Sequence, residues 1–415
     1  MTAARADQSL ARRVWGVAAI AFIGGVGGGV VFPILPVIGM DLGISGFMIG
    51  LILSANRITR LGFNPVTGSL LDRFGARWPV AAGLTLESLG TLAFSAALSS
   101  GTPSWWFLGG RVIWGMGSSL LLVGTLAAVM SAAPVWQRGG MTARVRSAIS
   151  LGLPAGLVIG GLVADGASAN AAFMVATVLS LGGAVAAVFV LPGRAARSRD
   201  STGDRNGSRA AQWGELFRIP ALGAIWSANA LLFFAVSGVL LASLAVMVKQ
   251  REIYVPGLGA EGSAGLYMAM MMVARASASL AVGRHLDRVT SRTGLLLPAQ
   301  LMVAAGFVAL GLADSVTATA LALLLVGAGS GGMTVPLLTL LGDLAPRHLH
   351  GRALSVYQWS SDFGGALGPA VGLEFGHALG FGATYIGVGI VVVCLTLPLR
   401  AAMRRRRVPR ASPGN

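Results

Sequence analysis

The chain has 415 residues, of which 54% are hydrophobic and only 11% are charged. Its mean hydropathy of +0.75 does not suit a surface that faces water, so most of the chain must be covered by lipid. The formal net charge of +16 would suggest nucleic-acid binding in a soluble protein, but here the arginines lie in short gaps between apolar runs. The single cysteine, Cys394, excludes an intrachain disulfide and a cysteine-based zinc cluster.

Twelve apolar runs are each near the roughly 20 residues that a membrane-crossing helix requires. The sequence therefore predicts an all-α membrane protein with twelve transmembrane helices. In chain order the predicted helices cover residues 14–38, 46–71, 79–99, 104–131, 147–165, 170–192, 219–248, 263–286, 293–312, 317–342, 352–375 and 379–401.

Basic residues are distributed unequally among the gaps between these runs. One alternating set of gaps carries only Lys249 and Arg251, whereas the other set is rich in arginine. Because cytoplasmic loops retain positive charge, both termini are predicted to be cytoplasmic, and the basic run Arg404–Arg407 agrees. The arginine-rich gaps are residues 72–78, 132–146, 193–218, 287–292 and 343–351.

The two halves of the chain repeat each other. The stretch from Gly68 to Arg73 recurs 215 residues later as the stretch from Gly283 to Arg288. Parallel halves of this kind are a known plan of membrane transporters. Further matches at the same offset are Asp72 with Asp287, Arg60 with Arg275, and Pro154 with Pro369.

This repeat predicts four parts of the chain. Residues 1–192 and 219–401 are expected to form two six-helix halves. Residues 193–218, rich in Arg, Ser, Asp and Gly, are expected to be a disordered cytoplasmic linker. Residues 402–415 form a basic cytoplasmic tail.

The stretch from Gly68 to Arg77 is the most charged short segment in the first third of the sequence. A polar turn would explain Gly75, which can adopt a positive φ, and would explain Arg73 and Arg77, which hold the loop in the cytoplasm. It would not explain Asp72, because acidic residues contribute little to topology. It would also leave the second copy unexplained.

With these features the chain resembles the major facilitator superfamily, and its drug:proton antiporters in particular, over essentially its whole length. The stretch after Gly68 fits the superfamily's signature for the loop between helices 2 and 3, Gly-x-Leu-x-Asp-Arg-x-Gly-x-Arg. Arg111, with two following glycines, resembles the helix 4 signature Arg-x-x-x-Gly-x-Gly. Gly368 and Pro369 on helix 11 resemble a signature that the superfamily's antiporters usually show on helix 5, and helix 5 here departs from it at Leu153.

The resemblance implies a cytoplasmic latch built from both copies of the loop. Asp72 is expected near the N-terminal end of helix 11, where the helix dipole favours a carboxylate. The place of an acidic partner for Arg73 is taken by Ser131, whereas Asp343 is available for Arg288. The latch is therefore predicted to be weakened in the first half. Its members are Gly68, Asp72, Arg73, Gly75, Arg77, Gly283, Asp287, Arg288 and Asp343.

Six charged residues are predicted within the spans, where each would cost a few kcal/mol if it faced lipid. Similar depths in the membrane suggest that Glu87 pairs with Arg60 or Arg57, either as part of a proton path or as a static ion pair. Asp362 is expected to contact Arg57 across the interface between the halves, and the resemblance ties Arg111 to proton coupling. The predicted network is Arg57, Arg60, Glu87, Arg111, Arg275 and Asp362.

The resemblance implies that helices 1, 4, 7 and 10 line a central cavity. Bulky neutral side chains there, together with Met271 on helix 8, predict an adaptable apolar pocket, although the same residues could face lipid or fill the packing. Glycines and prolines on helices 5 and 11 predict close helix packing. The cavity candidates are Phe32, Trp114, Phe233, Phe234 and Met271, and the packing candidates are Gly152, Pro154, Gly368, Pro369 and Gly372.

The sequence therefore predicts a secondary active transporter of the cell membrane and not an enzyme. The preferred hypothesis is proton-coupled efflux of a small hydrophobic or amphipathic compound by alternating access. The excess of arginine within the spans keeps a second hypothesis open, a proton-coupled importer of an organic anion, and a non-transporting receptor is a third. The expected partners are a small-molecule substrate, protons and the lipid bilayer. No nucleic acid, cofactor or metal is expected, and the protein is expected to be monomeric.

Overall fold

The structure, a computed structural model, describes residues 2–132, 138–191, 214–286 and 292–394. Two predicted latch residues, Asp287 and Arg288, lie outside the described residues. So do most of the predicted linker and the whole of the predicted basic tail.

Twelve long helices run through the described ranges. By length and composition alone, eight of them can cross a membrane, and α9 and α12 are shorter apolar helices. The other two, α2 and α11, are 29 and 30 residues long and carry the interior charges of the candidate site. The helices are α1 Thr2–Asp41, α2 Gly46–Phe74, α3 Arg77–Ala97, α4 Pro103–Ala132, α5 Arg138–Gly166, α6 Ala169–Val190, α7 Pro220–Gln250, α8 Ala260–Leu286, α9 Leu296–Leu312, α10 Val316–Leu344, α11 His350–Leu379 and α12 Phe381–Cys394.

Helix α5 begins at Arg138, well before the predicted start at residue 147. The added turns are polar, but Met141 and Val145 lie four residues apart and are buried in one cluster with Val17 of α1. Residues at this spacing share one face of a helix. Packing against α1 therefore stabilises a helical extension that a search for apolar runs cannot detect.

Helix α7 changes from α-helical to π-helical hydrogen bonding near the middle of its length. Phe234–Leu240 form a π-helical segment, which the sequence analysis did not predict. Such segments are rare and frequently occur at functional sites, because they leave backbone groups without their usual helical partners. Within this segment, the carbonyl of Ser237 accepts a hydrogen bond of 3.4 Å from Nη2 of Arg57 on α2.

Glycine contacts recur in both halves. A Cβ atom at Gly25 of α1 would lie 3.0 Å from the Cα of Gly152 on α5. In the second half, a Cβ atom at Gly238 of α7 would lie 2.6 Å from the Cα of Gly368 on α11, and Gly372 faces Val239. Helices can approach this closely only where side chains are absent. The structural repeat therefore includes the crossings α1–α5 and α7–α11.

Helices α2 and α11 join the two halves through a series of contacts. Gly46 lies against His377, and one turn further along Gly50 lies against the backbone of Ala370. The hydroxyl of Ser54 then donates to the carbonyl oxygen of Ala366. The last contact of the series is an ion pair between Arg60 and Asp362, described below.

Two further groups of bonds join the halves at the face that the arginine asymmetry predicts to be extracellular. Nζ of Lys249 at the end of α7 donates to both carboxylate oxygens of Asp41 at the end of α1, at 2.7 and 2.8 Å. Oδ2 of Asp165 at the end of α5 accepts from the backbone N–H groups of Gly259 and Gly262 around the start of α8, at 2.6 and 2.9 Å. We interpret this arrangement as closed at that face, which corresponds to an inward-facing transporter in the predicted orientation.

Candidate functional site

The centre of the candidate site is an ion pair between the two halves. Arg60 of α2 donates through Nη2 to Oδ1 of Asp362 on α11. The side chain of Asp362 is only 5% exposed and that of Arg60 is 20% exposed. Further along α2, Gly62 and Gly68 have no neighbour within 4 Å of a Cβ position. The ion pair is therefore the last of the contacts named here between α2 and α11.

The predicted contact between Asp362 and Arg57 is wrong, because Asp362 binds Arg60 instead. Arg57 donates to the carbonyl of Ser237, and its guanidinium lies where a Cβ atom at Gly365 would have to be. Arg57 and Arg60 lie three residues apart, so their depths differ by about 4.5 Å. Depth estimated from the sequence could not choose between them.

The predicted pairing of Glu87 with Arg60 or Arg57 is also wrong. Glu87 of α3 is completely buried, and neither carboxylate oxygen has a hydrogen-bond partner among the described residues. Its Oε2 lies 3.6 Å from a Cβ position at Gly24 of α1, in the same region as the hydroxyl of Ser180 on α6. The carboxyl group therefore points into the seam between α1, α4 and α6, away from α2. A buried carboxyl group without a cation is most stable when it is neutral.

Arg111 of α4 is completely buried and is held mainly by aromatic rings. Its guanidinium carbon lies 5.6 Å from the ring centroid of Phe32 on α1 and 5.7 Å from that of Trp114. Nη2 donates to the carbonyl of Leu53 at 3.4 Å, whereas Nε and Nη1 have no acceptor in the described part of the chain. Cation–π contacts offset part of the hydration that burial removes. Arg111 thus brings together two of the predicted cavity residues.

Arg275 occupies a comparable position in the second half. Its guanidinium carbon lies 5.1 Å from the ring centroid of Phe233 on α7, and Tyr357 of α11 is within electrostatic range. Phe234 is the first residue of the π-helical segment. Met271 is completely buried, and its carbonyl faces Gly327 of α10. The structure therefore places Met271 in the packing between α8 and α10.

One polar cluster was missed by the sequence analysis. The amide nitrogen of Asn229 on α7 lies 2.8 Å from the carbonyl of Tyr357, 2.9 Å from the hydroxyl of Ser360 and 2.7 Å from that of Ser361, all on α11. Asn229 is completely buried, and it is a lone amide within an apolar run. That isolation was the available signal, since a buried amide needs partners.

The first copy of the predicted latch spans the end of α2 and the start of α3. Gly75 has a φ of 72°, as the turn requires, and Asp72 and Arg73 are exposed. Arg77 has a different contact, because its Nε donates to the carbonyl of Leu191 at the end of α6, at 2.8 Å. In the second copy, Gly283 and Asp343 are described; a Cβ atom at Gly283 would meet nothing within 4 Å, and Asp343 is exposed.

The sequence profile described as Major Facilitator Superfamily matches residues 17–262 and 253–415. The chain belongs to this superfamily. Family membership confirms three predictions: the twelve-helix fold in two halves, a multi-pass membrane protein, and a member of a transporter family and not of an enzyme family.

Two curated relatives match a part of the chain. Multidrug resistance protein 2 of Bacillus subtilis is 29% identical over 170 residues, which are 41% of this chain and 41% of that protein. Quinolone resistance protein NorA of Staphylococcus aureus is 28% identical over 140 residues, which are 34% of this chain and 35% of that protein. The matches thus span about two fifths or less of the length of these relatives.

Solved structures share the fold over almost the whole chain. A bacterial homologue of the human lysosomal transporter Spinster, in an inward-facing and occupied conformation, has a TM-score of 0.79 at 15% identity and covers 97% of this chain and 98% of that chain. A point mutant of the nucleoside transporter NupG has a TM-score of 0.77 at 13% identity, with 94% and 100% coverage. At such identities the likeness concerns the fold alone.

Proposed function

We propose that this chain is a secondary active transporter that exports a small hydrophobic or amphipathic compound in exchange for protons. The observation that carries the proposal is the ion pair between Arg60 and Asp362, which joins the two halves inside the membrane. Membership of the Major Facilitator Superfamily supports transport. The names of the two curated relatives, both resistance proteins, support the export of a drug-like compound.

The ion pair suggests how export is coupled to protons. It forms only when Asp362 is ionised, and it holds α2 against α11 while the extracellular side is closed. An empty, deprotonated transporter therefore stays inward-facing and does not leak protons. Substrate that displaces the pair allows the extracellular side to open. A proton taken up there by Asp362 keeps the pair broken during the return, and its release to the cytoplasm restores the pair.

A proton moving down a potential of 100 mV supplies about 2.3 kcal/mol. The test is uptake into inside-out membrane vesicles, in which export appears as accumulation. We expect accumulation of an amphipathic dye to require a proton gradient and to cease when an ionophore collapses it. Accumulation that continues unchanged without the gradient would remove proton coupling from the proposal.

The arginine-rich interior favours a second candidate function, a proton-coupled importer of an organic anion. Arg57 lies within electrostatic range of Arg60 and Arg275, and Arg111 lies within range of Arg57. A single carboxylate, Asp362, is paired with this group in the described residues. Uptake of labelled organic anions into whole cells would distinguish the two, since Arg57→Ala and Arg275→Ala should abolish import but leave dye efflux.

The remaining parts of the proposal concern topology and partners. We infer cytoplasmic termini from the arginine asymmetry, with residues 193–218 linking the halves on that side. The transporter acts as a monomer in the lipid bilayer, with protons as the coupling ion. The particle mass of the protein in nanodiscs tests whether it is a monomer. Cleavage of the C-terminal tail by a protease added outside sealed vesicles of known orientation tests whether the tail is cytoplasmic.

A further inference from the structure

We propose that Arg111, Phe32 and Trp114 form a subsite for the carboxylate of an aromatic organic acid. The proposal rests on the transport function above and identifies the class of its substrate. It also gives Arg111 a role in binding substrate, different from the proton-coupling role that the family resemblance implies.

The first argument is the unbalanced charge of Arg111. The guanidinium is completely buried, and in the described part of the chain Nε and Nη1 have no acceptor. Arg57 carries the same charge and makes the burial of the Arg111 guanidinium less favourable. A buried guanidinium is stable when an anion and further hydrogen bonds satisfy its protons. The carbonyl of Leu53, at 3.4 Å, satisfies only one nitrogen.

The second argument is that neither interior carboxylate serves as the counter-ion. Asp362 is bound to Arg60. Glu87 has no hydrogen-bond partner on either oxygen among the described residues and points towards Gly24 of α1. Since these two acids are the interior partners that the sequence offers, the anion that balances Arg111 comes from outside the chain.

The third argument is the chemistry around the guanidinium. The ring centroids of Phe32 and Trp114 lie 5.6 and 5.7 Å from the guanidinium carbon, so the aromatic part of a ligand can stack against these rings. Nε1 of Trp114 also has no acceptor among the described residues and is a further N–H donor. A guanidinium fork matches a planar carboxylate and is less suited to an amine or a neutral amide.

These features select an aromatic carboxylate over a purely apolar compound. The arginine supplies the charge and the forked donors, the indole supplies a further donor, and both rings supply apolar contact area. Phe32 and Trp114 are 9% and 6% exposed, so they cover the guanidinium in the inward-facing arrangement and must move apart to admit the ligand.

The test uses calorimetric titration of the purified protein in nanodiscs with three matched probes. They are naphthalene-2-carboxylate, its neutral carboxamide, and naphthalen-2-ylmethylammonium. We expect the carboxylate to bind at least tenfold more tightly than the other two. In Arg111→Gln, carboxylate affinity should fall by roughly 10- to 100-fold, to the level of the amide, while amide binding is unchanged.

Two further variants complete the design. Arg111→Lys keeps the positive charge but loses the paired N–H donors of the guanidinium, so we expect an intermediate preference for the carboxylate. Arg146→Gln removes an exposed arginine from the cytoplasmic end of α5 and should leave the preference intact. The proposal is overturned if the unaltered protein does not prefer the carboxylate, whether or not it binds the other probes. It is equally overturned if the preference survives in Arg111→Gln.

Failure of this subsite is distinguishable from failure of the transport proposal. Selective binding of naphthalene-2-carboxylate without any proton-driven movement of the compound would support the subsite and contradict the transport proposal. Proton-driven export of the naphthylmethylammonium cation, without carboxylate binding, would support the transport proposal and contradict the subsite.

Discussion

Asp362 is the carboxylate on which the proposed coupling depends, because it is nearly inaccessible and binds an arginine of the opposite half. Its neighbours on α11, Ser360 and Ser361, are fixed by Asn229 of α7. The residues just before Asp362 are thus bonded to α7, while its carboxylate binds α2. Breaking the ion pair is therefore expected to change the relation between the halves and not only the local packing.

We predict that Asp362→Asn abolishes uphill, proton-driven export but preserves downhill exchange of substrate. The amide has the shape of the carboxylate but can neither hold a proton nor form the ion pair. Because one charge of the pair remains, the variant should also lose up to about 3 kcal/mol of stability. Uphill accumulation and exchange are measured in the same vesicles. Glu374→Gln, at an exposed carboxylate of the same helix, is the matched control.

Undiminished uphill export by Asp362→Asn would show that the proton binds elsewhere. Glu87 would then be the remaining buried acid to test, by Glu87→Gln. The exchanged pair Arg60→Asp with Asp362→Arg should restore stability more than either single substitution, because the contact is a direct one.

The interior charges show what the sequence can and cannot predict about single residues. Membrane depth followed from counting residues along each helix, and it predicted that Asp362 would contact Arg57, three residues from its actual partner Arg60. The direction in which a side chain points depends on helix rotation, which neighbouring helices determine. Glu87 therefore turned towards α1 and α6, and neither predicted pairing was correct.

At the scale of helices, glycine contacts determine how closely the elements of each half pack. The crossings of α1 with α5 and of α7 with α11 both leave no room for a side chain at the contact. The sequence predicted glycines at these places as packing residues, but it could not name their partners. The apolar pattern also did not predict the π-helical segment of α7 or the polar start of α5, which packs against α1.

We predict that Gly368→Val destabilises the protein, because its side chain would overlap the backbone of α7. Overpacking of this kind costs about 1–3 kcal/mol. Thermal unfolding of the purified protein measures the effect. Gly387→Val on α12 is the matched control, since a Cβ atom there would meet nothing within 4 Å. Equal unfolding temperatures for the two variants would contradict the close contact.

The latch gives a second prediction at this scale. Asp72 and Arg73 are exposed, and we propose that the latch closes only when the transporter faces outward. Because Ser131 replaces the acidic partner of Arg73, we predict that Asp343→Asn abolishes export whereas Asp72→Asn leaves it nearly unchanged. Initial export rates in vesicles measure both. The reverse order of effects would show that the first copy is the stronger one.

For the whole molecule, the bonds between α1 and α7 and between α5 and α8 keep one face closed. We predict that joining these ends covalently prevents export. In a Cys394→Ser background, Asp41→Cys and Lys249→Cys can be linked by a short bifunctional thiol reagent, since the native side chains are in direct contact. Export should stop after linkage and recover with a cleavable reagent. Export that continues through the linked protein would contradict alternating access.

The whole-molecule features were the most accessible to sequence reasoning. The twelve helices, the two halves and the family all followed from hydropathy, the 215-residue repeat and the loop that begins at Gly68. The conformational state did not, because both inward- and outward-facing arrangements satisfy the same apolar pattern. Only contacts such as those of Asp165 with the start of α8 distinguish the two.

The most direct test of proton-coupled export is a measurement, in proteoliposomes, of the proton movement that accompanies substrate transport. A pH-sensitive dye in the lumen reports whether added substrate dissipates an imposed pH gradient. We expect substrate to dissipate the gradient in liposomes with the unaltered protein, and to have no effect with Asp362→Asn, although that variant still exchanges substrate. A gradient that is unaffected by transported substrate in the unaltered protein would contradict proton-coupled export.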